Sequence, residues 1–179
     1  MAQIAEDAGA RISSLKGSGM HLPEGYSSHD ALKMLRDDFD FAYVLMKYAV
    51  RKEIGSFTFA GLRVPAVLES VSGAPSVSLP AGISLEVVIF QDHLHDRITM
   101  LARNNRMLRE IWAFNERSRA FREFELLNAD TAPEALHLTA DLVTALRTCA
   151  KRQVVNALNA SLEARLRWID IFARKLTIP

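Results

Sequence analysis

The chain has 179 residues, of which 49% are hydrophobic, and its formal net charge is +1 at pH 7. A chain of this length can bury one substantial core, so one domain with a small appendage is the simplest organisation. The near-neutral charge excludes a global electrostatic case for nucleic-acid binding, and no apolar run approaches the roughly 18 to 20 residues of a membrane span. With one cysteine, Cys149, and no signal-peptide core, the sequence predicts a cytoplasmic protein without disulfides.

Residues 1–28 are interpreted as a leader or a helix-turn-helix remnant with a linker, because the region is short and ends in a glycine- and serine-rich stretch. Several positions have the spacing of a helix-turn-helix: Ile4, Ala5, Ala8, Gly9, Ala10, Ile12 and Leu15. A winged-helix head needs more residues than precede Ser28, and the stretch after the turn offers one lysine, Lys16, for phosphate contacts. We therefore do not expect this chain alone to bind DNA.

Residues 29–179 predict an all-α domain, an antiparallel bundle of six or seven helices, because helical spacing recurs and strand signals lack hairpin partners. The predicted caps are Ser28, Ser84 and the capping box that starts at Thr131. Predicted interruptions are Gly55, a kink or two short helices around Pro65, a loop over 72–82, a break at Asn104 and Asn105, and a bend near 149–152.

The central helix is the most informative segment. Its apolar stripe consists of Val87, Phe90, Leu94, Ile98 and Leu101. Gln91 and His95 lie one turn apart on the flank of that stripe. Polar groups at the edge of a core need partners, so this pair predicts either an interior pocket or a hydrogen-bonded core histidine. Asp92 and Asp96 are expected on a charged outer face with an exposed His93.

The next helix has an apolar stripe with one polar member. Ser118 occupies a place in the series Met107, Ile111, Phe114 and Phe121. Its hydroxyl favours a bond to a backbone carbonyl over a ligand contact. Arg117 lies on the flank, where it either supplies charge for a carboxylate ligand or extends to solvent.

These residues resemble a known family. The run Leu94-His95, with Ile98, Asn104 and Met107, resembles the "FH, I, N, L" signature of the effector-binding domain called FCD in GntR-superfamily transcription regulators. The closing helices add a second set of similar residues: 142–146, 154–155, 157–158 and Leu162. The resemblance covers about residues 85–172 and is only architectural over 29–71.

The resemblance implies a helical bundle around a small-molecule pocket, in which many members bind a divalent metal through one aspartate and three histidines. His95 matches a family histidine, whereas the aspartate position falls on Gln91 and the other histidine positions on Thr139 and Ser161. Amide and hydroxyl groups are poor ligands for metals that imidazole favours. We therefore expect no cofactor and no high-affinity metal site. A divalent metal would bind only if a register shift brought His137 to the place of Thr139.

The resemblance therefore predicts a transcription regulator whose helical domain senses a small organic acid or related metabolite. The expected ligand-binding residues are Gln91, His95, Arg117, Thr139 and Ser161. The expected protein partner is a second copy, or a full-length relative that supplies the DNA-binding head. No pairing of nucleophile and base marks an enzyme. The alternative is a ligand-free helical protein-interaction or dimerisation domain.

Overall fold

A computed structural model describes residues 28–70 and 81–176, except for the side chains of Ala81 and of residues 174–176. It contains a 3-10 turn, Ile54–Ser56, and six α-helices, which we number in chain order: α1 (His29–Glu53), α2 (Ala66–Ser70), α3 (Ala81–Met100), α4 (Asn105–Leu127), α5 (Ala132–Arg147) and α6 (Lys151–Leu176). The described residues contain no strand. The predicted all-α bundle is confirmed, while the predicted leader lies outside the described residues.

Helix α1 begins at the cap that the sequence predicts. The Ser28 hydroxyl accepts a hydrogen bond of 3.1 Å from the backbone N–H of Ala31, which satisfies one of the free donors of the first turn. The inner face of α1 is a continuous buried stripe: Leu32, Leu35, Phe39, Ala42, Tyr43, Met46, Ala49 and Val50. This stripe packs mainly against α6 and forms one side of the hydrophobic core.

Helices α1 and α6 run antiparallel. Near one end Arg36 forms an ion pair with Asp170, and near the other Lys47 donates to Asn159 at 3.1 Å. Between them the Tyr43 and Ser161 hydroxyls are 2.9 Å apart. Since residue numbers rise on one helix as they fall on the other, these contacts fix both direction and register.

Helices α3 and α4 form an antiparallel hairpin through a short connection. The Asn104 side chain caps α4 by accepting from the backbone N–H groups of Arg106 at 2.9 Å and Met107 at 3.3 Å. Arg103 precedes it with a left-handed φ of 51°, which turns the chain sharply after α3. The predicted break at Asn104 is confirmed.

Helices α5 and α6 form the closing antiparallel pair, and the predicted bend between them is confirmed. Cys149 has a φ of 50°, so the chain reverses without a glycine or a proline. Arg167 on α6 bonds Glu134 on α5 at 2.6 Å. The predicted cap at Thr131 is wrong in its chemistry, because its hydroxyl instead donates to the carbonyl of Glu125 at 2.7 Å and so ties α5 to the end of α4.

Two further predictions change on α2 and α3. Residues 57–65 are irregular and only the short α2 follows Pro65, so the region holds a 3-10 turn and one helix. The predicted loop over 72–82 falls mostly outside the described residues, yet Ala81 and Gly82 already belong to α3. Ser84 is therefore not a cap but a buried residue within that helix. None of the helices described is long and apolar enough to cross a membrane.

Candidate functional site

Four of the five predicted ligand-binding residues lie in the interior. Gln91 and His95 come from α3, Thr139 from α5 and Ser161 from α6, and each is at most 5% exposed. Each occupies the core-facing stripe of its helix, so helix packing turns all four inward. They do not form one contact set, because the structure divides them between two neighbouring polar clusters, each built around a buried arginine.

Gln91 and Thr139 meet directly. The Gln91 Nε2 donates to the Thr139 hydroxyl at 3.0 Å, and that hydroxyl donates in turn to the carbonyl of Ala135 at 2.9 Å. The Gln91 Oε1 accepts from Arg122 Nη1 at 3.4 Å. A series of hydrogen bonds thus runs from Arg122 on α4 through Gln91 on α3 to Thr139 on α5. The two predicted polar residues, Gln91 and Thr139, are hydrogen-bond partners of each other.

His95 is held by Asn115 on α4. The Asn115 Nδ2 donates to the Asp92 carbonyl at 3.3 Å and to Asp96 Oδ1 at 3.2 Å, so its Oδ1 faces His95 Nδ1 at 2.9 Å. Only an Nδ1–H can donate to that oxygen, which leaves the lone pair on Nε2. Burial lowers the pKa of His95 to about 3, assisted by the positive charge of Arg122, so the ring is neutral at physiological pH.

Arg122 organises the first cluster, which we call the Arg122 centre: Arg122, Gln91, Asp92, His95, Asn115, Ser118 and Thr139. Its Nη2 bonds Asp92 Oδ1 at 2.5 Å and the Asn115 carbonyl at 2.9 Å. Its Nε donates to the Ser118 hydroxyl at 3.1 Å. Asp92 also accepts from Arg119 at 2.7 Å. The expectation that Asp92 lies on an outer face is wrong, because two guanidinium groups hold it at the edge of the core.

Ser118 behaves as its position in the stripe predicts. Its hydroxyl donates to the Phe114 carbonyl at 2.7 Å, one turn back along α4. The same oxygen accepts from Arg122, so the residue links the helix backbone to the buried guanidinium.

The second cluster is the Arg165 centre: Arg165, Glu125, Tyr43 and Ser161. Arg165 Nη2 bonds Glu125 Oε1 at 2.8 Å, while Nη1 donates to the Tyr43 hydroxyl at 3.0 Å and closely to the Ser161 hydroxyl. The Arg165 guanidinium also lies 5.8 Å from the centre of the Phe39 ring. Ser161 is therefore occupied by protein partners.

Burial opposes ionisation of both members of the pair in the Arg165 centre. Burial alone would lower the pKa of Arg165, but the charge of Glu125 outweighs it and the pKa is raised. Burial raises the pKa of Glu125, against the opposing charges of Arg165 and Arg122. The attraction of the two guanidinium groups thus opposes the protonation of Glu125 that burial favours.

The two centres are neighbours in one polar layer. The Tyr43 and His95 rings are 6.5 Å apart, and each arginine is close enough to influence the pKa of the same histidine. Three buried side-chain atoms have no hydrogen-bond partner among the described residues: Thr99 Oγ1, Glu125 Oε2 and Arg165 Nε. Two of them, an acceptor and a donor, lie in the Arg165 centre.

Sequence reasoning missed Arg122, Glu125 and Arg165. Arg122 and Glu125 continue the stripe of α4 at four and seven residues after Ser118. Arg165 likewise follows Ser161 by four residues on the stripe of α6, between Leu158 and Trp168. Continuing the apolar stripes through their charged members would have found all three.

The structure places Arg117 outside the polar layer, in the solvent-directed one of its two expected positions and apart from the other four expected ligand-binding residues. Its guanidinium pairs with Asp38 on α1 through bonds of 2.7 and 2.6 Å, and its side chain is 50% exposed. One residue on a helix rotates the side chain by about 100°, which separates Arg117 from the buried Ser118. Arg122, five residues further on and therefore on another side of α4, is the arginine that enters the core.

His137 is also placed away from the predicted site. It is exposed, and its Nδ1 lies 2.7 Å from the Pro133 carbonyl one turn earlier in α5. No register shift occurs, since Thr139 itself faces Gln91. Within residues 28–70 and 81–176, no three His, Cys, Asp or Glu side chains are grouped as a metal site requires.

An open groove of about 490 Å³ leads from the surface to the Arg122 centre. It is lined by Ile89, Asp92, His93, Asp96, Trp112, Ala113, Asn115, Glu116 and Arg119. Burial raises the pKa of Asp96, partly offset by a hydrogen bond from Trp112. The groove reaches Asp92 and Asn115, the side chains that hold Arg122 and His95.

Comparison of the chain with protein-family models, curated proteins and solved structures found no match.

Proposed function

We propose that the chain is a small-molecule-sensing helical domain, similar to the FCD type, that acts in transcriptional control. The observation that carries the proposal is the unpartnered pair of buried atoms in the Arg165 centre. Leaving a buried donor or acceptor unsatisfied costs about 1 to 3 kcal/mol each. A ligand that accepts from Arg165 Nε and donates to Glu125 Oε2 would remove both costs.

The chemistry of these two atoms narrows the class of ligand. A guanidinium binds carboxylates in preference to neutral acceptors, and a free carboxylate oxygen accepts from a hydroxyl or an amine. We therefore propose a small hydroxy acid or a related organic acid. Ser161 and Tyr43 already bond the same guanidinium and would reorganise around the ligand.

The polar layer is closed, so ligand binding requires a second conformation. The groove reaches Asp92 and Asn115 of the Arg122 centre, and no residue of the Arg165 centre lines it, so we propose that α3 and α4 separate beyond the groove to admit a ligand. A ligand that prefers the open arrangement shifts the population toward it, and only that difference in affinity transmits a signal.

The competing function is a ligand-free protein-interaction bundle. It is favoured by the extent to which Gln91, Thr139, His95 and Asn115 satisfy one another without any ligand. Buried polar networks of this kind also serve to specify one packing arrangement.

Thermal unfolding of the purified chain separates the two functions. The probes are lactate, malate, citrate and gluconate, each with and without divalent metals and a chelator. Ligand at about 100 times its dissociation constant adds about 2.7 kcal/mol, which raises the melting temperature by several degrees. A rise in melting temperature with an organic acid, unchanged by the chelator, supports sensing. A flat panel favours the interaction bundle, and a rise with metal alone contradicts the expected loss of the metal site.

Matched variants locate the binding site. Arg165→Lys keeps the charge but removes Nε and the planar fork, so it should abolish the ligand-induced rise. Arg117→Lys is the control, because Arg117 lies on the surface in its pair with Asp38. Equal loss of the rise in both variants would contradict binding in the Arg165 centre.

A further inference from the structure

The outer face of α1 carries an apolar stripe that is open among the described residues. Met34 is 66% exposed, Phe41 51%, Val44 56% and Tyr48 52%. Large side chains that stay this open on one face of a helix mark an interaction surface when they are contiguous. We define the outer stripe as Met34, Asp37, Phe41, Val44, Tyr48 and Arg51.

The outer stripe has the spacing of a coiled-coil seam. Met34, Phe41 and Tyr48 recur every seven residues, and Asp37, Val44 and Arg51 form a second series offset by three. This is the a/d spacing by which one helix packs along another, with apolar side chains at four of the six positions and charges at Asp37 and Arg51. It is separate from the inner stripe of α1, which is already buried against the bundle.

Charge fixes the direction of the partner helix. Asp37 and Arg51 are both exposed and lie seven residues before and after Val44. A parallel pair of identical helices would bring like charges together. An antiparallel pair with its two-fold axis near Val44 places Asp37 of each copy within about one turn of Arg51 of the other.

The surroundings extend this complementarity. The first half of α1 exposes Asp30 and Asp40 against one lysine, Lys33, while its end exposes Arg51 and Lys52 against Glu53, with Lys52 also bonded to the Ala102 carbonyl at 2.6 Å. Arg51 also lines a surface depression of about 320 Å³ with Lys151 and Arg152 of α6. The acidic half of one α1 therefore faces a basic region on the other copy.

We propose that α1 pairs antiparallel with α1 of a second copy through the outer stripe. At 25 residues the helix is about 37 Å long, and one helix from each partner lies toward the lower end of specific interfaces, which bury about 1,200 Å² or more. We expect a reversible dimer with a dissociation constant of about micromolar order. The pairing does not depend on ligand sensing, because the outer stripe and the polar layer lie on opposite sides of α1.

Sedimentation equilibrium of the full chain from about 1 to about 200 µM tests the pairing. Val44→Glu places a charge at the two-fold axis and should leave the chain monomeric throughout. Met100→Glu is the matched control, since Met100 is 55% exposed on α3 and should leave the dimer unchanged. Circular dichroism checks that both variants keep their helix content. A wild-type chain that is monomeric at every concentration, or a dimer that tolerates Val44→Glu, would overturn the proposal.

Charge reversal tests the antiparallel direction. Asp37→Arg and Arg51→Asp should each raise the dissociation constant at least about tenfold, because each creates two like-charge contacts. The double variant restores opposite charges and should return the constant to near its original value. Glu86→Arg, an exposed reversal on α3, is the control. Additive weakening without rescue in the double variant would rule out the antiparallel register.

Discussion

The two buried arginines differ in how fully the protein satisfies them. Arg122 uses Nε, Nη1 and Nη2, and its acceptors are Ser118, Val88, Gln91, Asp92 and Asn115. Arg165 uses Nη1 and Nη2, while its Nε and one oxygen of Glu125 have no partner among the described residues. The first arginine fixes a packing arrangement, whereas the second leaves a donor and an acceptor available.

The counter-ions of the two arginines differ in how deeply they are buried. The Asp92 side chain is 11% exposed and is shared with Arg119 at the surface, whereas Glu125 is completely buried. For Arg122, burial outweighs the attraction of Asp92, so its pKa is lowered. For Arg165, the negative charge of Glu125 outweighs burial, so its pKa is raised. Each arginine therefore has one carboxylate partner, but that of Arg165 is fully buried, whereas that of Arg122 is partly exposed and shared with Arg119.

Removing each counter-ion charge gives the largest expected effect and separates the two centres. Glu125→Gln leaves Arg165 charged and without its one carboxylate, which should lower the free energy of unfolding by about 3 to 5 kcal/mol. Asp92→Asn should cost less, about 1 to 3 kcal/mol, because Arg122 keeps two backbone carbonyls. Urea unfolding at pH 7 measures both.

The control for this pair is Glu116→Gln, an exposed residue on α4, which should change stability by less than about 0.5 kcal/mol. The double variant Glu125→Leu with Arg165→Met removes both charges together and should recover most of the loss. Equal costs for Glu125→Gln and Asp92→Asn would contradict the difference between the centres.

The helices and the inward position of Gln91 and His95 could be predicted from sequence, because period and caps are local signals, whereas Thr139 and Ser161 were expected in the interior only through the family resemblance. The burial of the charged residues in the same stripes could not be predicted in this way. Arginines such as Arg122 and Arg165 are usually expected on a solvated helix face. Their burial here depends on carboxylates from other parts of the chain. Arg117 illustrates the converse, since its partner Asp38 on the distant α1 holds it outside.

The partner of the Thr131 hydroxyl was also beyond local reasoning. Thr131 sits where a capping box is expected, yet its hydroxyl finds a better acceptor in the Glu125 carbonyl as α4 ends beside it. The choice between a cap and a tertiary contact is decided by how two helices meet. A sequence window of one helix does not contain that information.

Lowering the pH should destabilise the protein through His95, the member of the Arg122 centre whose ring lies 6.5 Å from that of Tyr43 in the Arg165 centre. Its pKa is about 3 in the folded protein, against 6.5 for the same side chain in an unfolded chain. Between these values the unfolded chain binds one more proton, so stability falls as pH decreases below about 6.5. From pH 7.5 to 5 this group should remove roughly 2 kcal/mol from the free energy of unfolding.

Comparing the pH dependence of the wild type with that of His95→Gln isolates this contribution, because glutamine does not titrate. The variant should lose less stability between pH 7.5 and 5, by the amount assigned to His95. His93→Gln is the control, since His93 is exposed on the same helix and should retain the wild-type slope. Parallel slopes for wild type and His95→Gln would show that the ring is not held neutral in the core.

The smallest effect comes from matched hydroxyl deletions in the two centres. Ser118→Ala removes the acceptor that Arg122 Nε has in the structure, which should cost about 1 to 2 kcal/mol. Ser161→Ala should cost less, below about 1 kcal/mol, because Arg165 Nη1 keeps the Tyr43 hydroxyl at 3.0 Å and the Ser161 carbonyl at 3.4 Å. Urea midpoints at constant slope measure the difference. If Ser161→Ala proved the costlier, the Arg165 centre would be the rigid one and the weaker candidate for exchanging a protein contact for a ligand.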